Sequence, residues 1–383
     1  MSKLTPEEIR RYSRHLALKG FGAEGQSKLK QARILVVGAG GLGCPALLYL
    51  AAAGVGSIGI VDFDVVQESN LQRQILFSMD DIGVNKAIAA SNHLRALNTL
   101  INITPYPLRL TSQNALDIIQ EYDLVIDGSD NFPTRYLVND ACVLLNKPFV
   151  YGSVLEYEGQ VSVFNVPLNS GFSCNYRDLF HSPPPPDKVP NCEQAGVLGV
   201  LPGMIGSMQA NEALKILTGI GEPLVDTLLI IESLTLETTR IKIQNRQSRY
   251  EVKTLIDYED FCSRSQDKSK YSDSNQNSMK EITVQELKAL LDSGVDFQLI
   301  DVREPREYDI CHIEGELIPM AEVPHNVERI RKNIQVVVHC RSGKRSGDII
   351  HWLEKNHNFE NLFNLKGGIL AWAREIDPTI PTY

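Results

Sequence analysis

The chain has no apolar run of the roughly 20 residues that a membrane span requires, no two cysteines in Cys-x-x-Cys spacing, and no excess of positive charge. Each lack excludes something. The longest apolar stretch, LLYLAAAGVGSIGIVDF, is broken by glycines and ends on an acid, so no membrane partner is expected. Lys+Arg 38 against Asp+Glu 47 gives a formal net charge of −9. That balance repels phosphate backbones, and no nucleic-acid partner is expected. The seven cysteines, odd in number and irregular in spacing, form no disulfide framework, and the charged MSKLTPEEIRR stands where an apolar signal region would. The expected location is a reducing one, the cytoplasm, or an organelle stroma if the organelle encodes the protein. Thiols in such a place are core filler, metal ligands or sulfur chemistry.

What is there is length and alternation. A chain of 383 residues, 43% hydrophobic and 22% charged, suits two to three globular domains. From Ile34 to Val66 a β-branched run, a glycine turn, an Ala/Leu-rich segment and a second β-branched run follow one another. That order is a βαβ unit opening a parallel sheet. Strands are predicted over 123–127 and 149–151 and helices over 86–97 and 135–145. Past the Pro183–Pro186 run, which neither a helix nor a central strand accepts, a helix is predicted over 203–218. Residues 257–279 are rich in Ser, Asn, Asp and Lys and read as a flexible linker. The predicted division is therefore 1–256, linker 257–279, and a small α/β domain over 280–383. No internal repeat is present.

Gly38, Gly40, Gly41 and Gly43 lie between the first strand and its helix, where absent side chains let backbone N–H groups approach a phosphate. Asp62, ending the next strand, is placed to accept hydrogen bonds from ribose hydroxyls. Both features fit NAD as well as ATP. The nearby set of Asp64, Arg73, Lys86 and Asp127–Asn131 separates the two cofactors. Hydride transfer has no use for it, whereas attack on phosphorus needs cations and a carboxylate-held metal where charge accumulates.

These segments resemble the MoeB/ThiF/HesA family, related to the adenylation domains of ubiquitin-activating enzymes. The resemblance covers roughly residues 5–245 and is carried by RYSRHLAL (11–18), the GAGGLG loop, VDFDVVQESNLQRQ (61–74), VNKA (84–87), DGSDNFPTRYLVND (127–140) and CEQAGVLGVLPGMIGSMQANEALKILTG (192–219). It implies a Rossmann-like α/β adenylation domain with Gly41 at the phosphates and Asp62 at the ribose. Asn70, Arg73 and Lys86 would serve the phosphates, within a nucleotide-contacting stretch that includes Ser69, Leu71 and Gln72. Asp130 would hold Mg²⁺, with Asn131 beside it, and Arg14 would reach into the neighbouring site of a homodimer. The implied reaction is adenylation, with ATP, of the C-terminal glycine of a ubiquitin-like sulfur carrier of the MoaD or ThiS kind.

The thiols then sort by place. Many members of that family carry paired Cys-x-x-Cys knuckles for structural zinc; here Asn175 and Asp178 occupy the ligand positions and Cys174 is off register, so no zinc ligand set is expected. Cys44 and Cys142 read as core and Cys262 as linker. Cys192, after the proline run, is a candidate to attack or resolve an activated acyl group. In Val336–Ser346 a strand delivers Cys340 into a short loop before a helix, with Arg341, Lys344 and Arg345 adding positive charge, which favours a thiolate or a persulfide anion. A Cys-x5-Arg phosphatase loop is excluded by counting, because Ser346 occupies the sixth position after Cys340 and the arginine comes one early. Together with DVREPREY (301–308) and ICHIEGELIPM (310–320), the loop resembles the rhodanese sulfurtransferases, although Cys311 and Glu316 stand where that family usually has Gly and Ala.

The expected whole is a carrier adenylyltransferase fused to a rhodanese domain, similar to such fusions in molybdopterin biosynthesis. A persulfide on Cys340, loaded by a donor such as a cysteine desulfurase or thiosulfate, would attack the acyl-adenylate, and Cys192 would resolve the acyl disulfide. Two alternatives stand beside it: an NAD-dependent oxidoreductase with an accessory rhodanese domain, and a non-catalytic carrier-binding scaffold.

Overall fold

The computed structural model describes residues 3–169, 171–183, 196–244, 248–264 and 279–381. The chain divides into two compact units, Met1–Tyr271 and Ser272–Tyr383.

The first unit is built on an eight-stranded sheet. Its strands are β1 (Arg33–Val37), β2 (Ser57–Val61), β3 (Asn102–Tyr106), β4 (Leu124–Asp127), β5 (Phe149–Leu155), β6 (Glu158–Phe164), β9 (Thr227–Glu232) and β10 (Thr238–Lys242), in the order β10-β9-β6-β5-β4-β1-β2-β3. A separate hairpin pairs β7 (Pro167–Leu168) with β8 (Gly171–Phe172). The β5-β4-β1-β2-β3 half is parallel and the other half antiparallel. RILVV and LVID are nearly unbroken apolar runs because both faces of the parallel half are covered. The helix Gly43–Ala53 (GCPALLYLAAA) is apolar almost all round and ends on Gly54 at φ +85°. It packs on the helix Val200–Thr218, which begins three residues before the predicted Gly203.

The predicted helix over 86–97 is present as Lys86–Leu97, N-capped by the Asn85 side chain, which accepts from the N–H groups of Ala87 and Ile88. The helix Phe132–Leu145 starts three residues earlier than predicted, because Asn131 caps it and Pro133 suits its first turn. The reading of 257 onward as linker is corrected: Tyr258–Arg264 is a helix of the first unit. DYEDFCSR is rich in charge, but Tyr258, Phe261 and Cys262 recur at helical spacing on one face. Tyr258 Oη donates to Asp140 Oδ2 at 2.8 Å, and Phe261 meets Tyr136 edge-on at 5.4 Å. Cys262 packs partly buried on the same cluster, so it is not a linker thiol. Residues 265–278, the rest of the predicted linker apart from Asp257 and Met279, lie outside the described residues.

The second unit has a five-stranded sheet, parallel throughout, in the order β11 (Glu281–Ile282), β15 (Leu362–Leu365), β14 (Val336–His339), β12 (Gln298–Asp301), β13 (Glu316–Leu317). Among the described residues, no helix is long and apolar enough to cross a membrane.

Candidate active site

Strand order reverses between β1 and β4, since the chain runs from β1 through β2 to β3 on one side and returns to β4 on the other. The loops after these two strands must diverge around a crevice, the usual ligand position in such sheets. Here they touch first. Gly38, at φ +92°, lies so close that a Cβ on it would fall 2.8 Å from Gly128 O, and one on Gly43 would fall 1.9 Å from Gly38 O. Gly43 is thus demanded by closure of the loop, while Gly38, Gly40 and Gly41 also line the cavity beyond it.

That cavity is about 840 Å³ and receives nearly every charged group of the expected set. Asp62 forms part of its wall: Oδ2 accepts from Ala39 N–H at 2.8 Å and Oδ1 from Asp64 N–H at 2.9 Å. Burial pushes its carboxyl above the ordinary 3.8, against the hydrogen bond from Ala39 and the charge of Lys86. Lys86, itself buried at the start of its helix, holds Nζ 3.3 Å from Asp64 Oδ2. Arg73 also lines the cavity, its Nη1 donating to Ser69 O at 3.1 Å. Asp130 is exposed and lines the cavity beside Asn131, whose Oδ1 accepts from Thr134 N–H at 3.0 Å as the helix cap.

Other expected residues stand apart. Ser69, Asn70, Leu71 and Gln72 do not line the cavity. Asn70 Oδ1 closes a short turn by accepting from Gln67 N–H, and Gln72 lies against Gly199. Arg14 is exposed on the short helix Ser13–Leu16 and is not part of this cavity. Cys192 lies outside the described residues.

Sequence reasoning missed part of the wall. Gln74, Arg109 and Arg135 line it, as does the strap Leu255–Glu259 leading into the Tyr258–Arg264 helix. Arg135 was within reach, being one helical turn after Asn131 and so on the same face. Arg109 carries no signal in the sequence; it stacks over Phe63 at 4.0 Å and pairs with Glu259 at 3.5 Å.

A second site lies in the second unit. Cys340, almost wholly buried, follows β14, and its Sγ accepts from Gly343 N–H at 3.2 Å. Gly343 adopts φ +94° to turn the chain into the helix Lys344–His357. Arg345 is held by Glu307 through two bonds of 2.6 and 2.7 Å. On β12 and just after it, Asp301 and Arg303 form a fully buried pair, and burial lowers the pKa of the adjoining His339. By contrast, burial pushes the thiols of Cys44 and Cys262 up to about 12 and those of Cys142 and Cys174 upward as well, which suits filler rather than nucleophiles. Asn175 and Asp178 are hydrogen-bonded to each other and to Ser248. Among the described residues, no group of three or more His, Cys, Asp or Glu could hold a metal ion.

Comparison with known proteins matches the ThiF family over residues 12–252 and the Rhodanese-like domain over residues 283–375. The chain is 46% identical over 385 residues to a probable adenylyltransferase/sulfurtransferase MoeZ of Mycobacterium tuberculosis, covering 100% of this chain and 97% of that protein. It is 41% identical over 404 residues to the adenylyltransferase and sulfurtransferase MOCS3 of Aedes aegypti, covering 100% and 91%. A sulfur carrier protein adenylyltransferase of Thermus thermophilus is 51% identical over 266 residues, 67% of this chain and 98% of that one. The crystal structure of E. coli MccB with ATP shares the fold, with a TM-score of 0.54 at 24% identity over 63% of this chain and 73% of that one.

Proposed function

The chain belongs to the ThiF family and carries a rhodanese-like domain behind it, and from that premise we propose that it adenylates the C-terminal glycine of a ubiquitin-like sulfur carrier with ATP and then converts the acyl-adenylate to a thiocarboxylate. The observation that carries the reading is the charge layout of one cavity. A glycine loop, Asp62, Arg73, Lys86 and Asp130 line it together, which is an arrangement for a triphosphate and its metal rather than for a nicotinamide.

In this reading the carrier carboxylate attacks the α-phosphorus and pyrophosphate leaves. Arg73 and Lys86 meet the charge that builds on the phosphoryl oxygens, with Arg14 arriving from the second subunit of a homodimer. Gly40 and Gly41 offer backbone N–H groups, and Asp62 takes the ribose while it holds the loop through Ala39. Mg²⁺ bound with the nucleotide would supply positive charge to its phosphates. One exposed carboxylate, Asp130, with Asn131 beside it, fits an ion that keeps most of its waters.

AMP is a far better leaving group than water, so the carrier carbonyl is then open to sulfur. A persulfide anion on Cys340 attacks it, AMP departs, and an acyl disulfide joins carrier to Cys340. The Cys192 thiolate attacks the Cys340 sulfur, releasing carrier thiocarboxylate and leaving a Cys192–Cys340 disulfide for a thiol reductant to open. The sulfur source is a cysteine desulfurase or thiosulfate, and the pathway is molybdopterin biosynthesis. The test is incubation with ATP, Mg²⁺, a MoaD-like carrier and thiosulfate, read by intact mass. The expected product is carrier with one sulfur in place of one oxygen; a carrier unchanged in mass, with no ATP–pyrophosphate exchange, would sink the reading.

A further inference from the structure

Hydrogen positions around Cys340 are constrained by a residue from another strand. The Gly343 carbonyl can only accept, so the atom of Asn364 facing it at 3.0 Å is the Nδ2 amide. That turns Asn364 Oδ1 toward Ser346 Oγ, 2.7 Å away, and Oδ1 too can only accept. The single hydroxyl hydrogen of Ser346 is thereby committed to Asn364. Its lone pairs face Cys340 Sγ at 3.5 Å, where they can take a hydrogen bond from S–H but give none to an anion. All three side chains are buried, Ser346 at 0%, Cys340 at 1% and Asn364 at 4% exposure, so water does not replace a missing donor cheaply.

The geometry points to Ser346 and Asn364 as a positioning pair that sets the charge state of the Cys340 sulfur. With the thiol, Ser346 donates to Asn364 and accepts from S–H. When that proton leaves to solvent base, the hydroxyl turns, gives up Asn364 and donates to the sulfur anion beside the Gly343 N–H. Asn364 therefore opposes the anion and Ser346 supports it. The charged groups on the elements next to Cys340 are Arg341 of the loop, Lys344 and the Glu307-held Arg345 at the start of the helix, Asp301 and His339 at the ends of β12 and β14, and Arg303 just after β12; the variants below leave all of them in place. The inference deepens the reading of Cys340 as sulfur bearer and rests on it only for its use. Alkylation reports the pair whether or not a persulfide forms.

The experiment is the pH profile of iodoacetamide alkylation of Cys340 in the full chain, read by mass spectrometry of the Cys340 peptide. Asn364→Ala should move the half-point to lower pH and raise the rate at neutral pH about fivefold, the worth of one competing hydrogen bond. Ser346→Ala should move it to higher pH, Ser346→Thr should restore the wild-type profile, and Asn364→Ala placed on Ser346→Ala should have no further effect. Both tryptophans, Trp352 and Trp372, lie in the second unit, so their fluorescence verifies that each variant is folded there. If Asn364→Ala does not fold, Asn364→Val removes the same acceptor with a side chain suited to a strand, and the same shift is expected. An unmoved or upward half-point for folded Asn364 variants, an equal shift in the Ser346→Ala background, or an unmoved profile for Ser346→Ala overturns the pair. A profile that shifts as stated in a protein that transfers no sulfur overturns only the earlier reading.

Discussion

Asp62 Oδ2 accepts a hydrogen bond from the backbone N–H of Ala39 at 2.8 Å, tying the end of β2 to the glycine loop that follows β1. One carboxylate thus shapes the glycine loop as well as lining the cavity beside it. Replacement by alanine removes both at once. Asp62→Ala is expected to lower carrier-dependent ATP–pyrophosphate exchange by about 100-fold or more, and Asp62→Asn, which keeps an acceptor for Ala39, to retain more exchange than the alanine variant.

Lys86 is nearly buried, and among the described residues the one carboxylate within ion-pair distance of it is Asp64 at 3.3 Å, which is half exposed. Such a cation is poised for an anion in the cavity. Lys86→Ala and Arg73→Ala should each reduce pyrophosphate exchange by about 10²–10³ while leaving the urea unfolding midpoint of the first unit within experimental scatter. A parallel loss of exchange and of midpoint would assign the lysine to structure.

Cys340 sits in the second unit, whereas the cavity that Asp62 and Lys86 line belongs to the first. Cys340→Ala should therefore leave ATP–pyrophosphate exchange at the wild-type rate and abolish thiocarboxylate formation, read by the mass of the carrier. Persulfide-dependent turnover at the wild-type level in this variant would remove the cysteine from the relay.

Tyr258 links the strap of the cavity to the Asp140–Arg177 pair. Its hydroxyl is a buried donor to a carboxylate, so Tyr258→Phe should cost about 2 kcal/mol in chemical denaturation of the first unit. The same change loosens the wall at Leu255–Glu259 and should raise the KM for ATP severalfold more than kcat falls.

Asp127, fully buried at the end of β4, has its carboxyl raised above the ordinary 3.8 by burial, against the charge of Arg135 and the bonds from Ser129. The folded chain holds this proton to higher pH than the unfolded one. Its contribution to stability is complete below 3.8 and is lost as pH rises through the raised value. Asp127→Asn, which carries no charge, should therefore gain stability relative to wild type as pH rises from the ordinary 3.8 through the raised value, measured as the difference in unfolding midpoint.

Local chemistry was readable from residue order. The strand, glycine turn and helix around Gly38–Gly43 announce themselves by periodicity, as does the helix Lys86–Leu97. Arg73, Lys86 and Asp130 could be picked out because a motif keeps them at fixed distances from elements of known type. The Tyr258–Arg264 helix was hidden, since its charged face made it resemble the polar stretch that follows. Only the packing of Phe261 and Tyr258 on Tyr136 and Asp140 makes it part of the first unit.

By itself the sequence determined two α/β units, an adenylating and a sulfur-handling kind of chemistry, and that Cys44 and Cys142 lie in a core, because these follow from nearest-neighbour pattern and side-chain type. Tertiary structure alone decided which glycines close the loop and which line the cavity, that Asn70 serves a turn and Asn131 a cap, and that Asn364 governs the hydrogen of Ser346. Those are relations between strands and loops distant along the chain. A backbone approach of 2.8 Å or a single shared proton leaves no trace in spacing, since it arises only when the sheets have brought the two ends together.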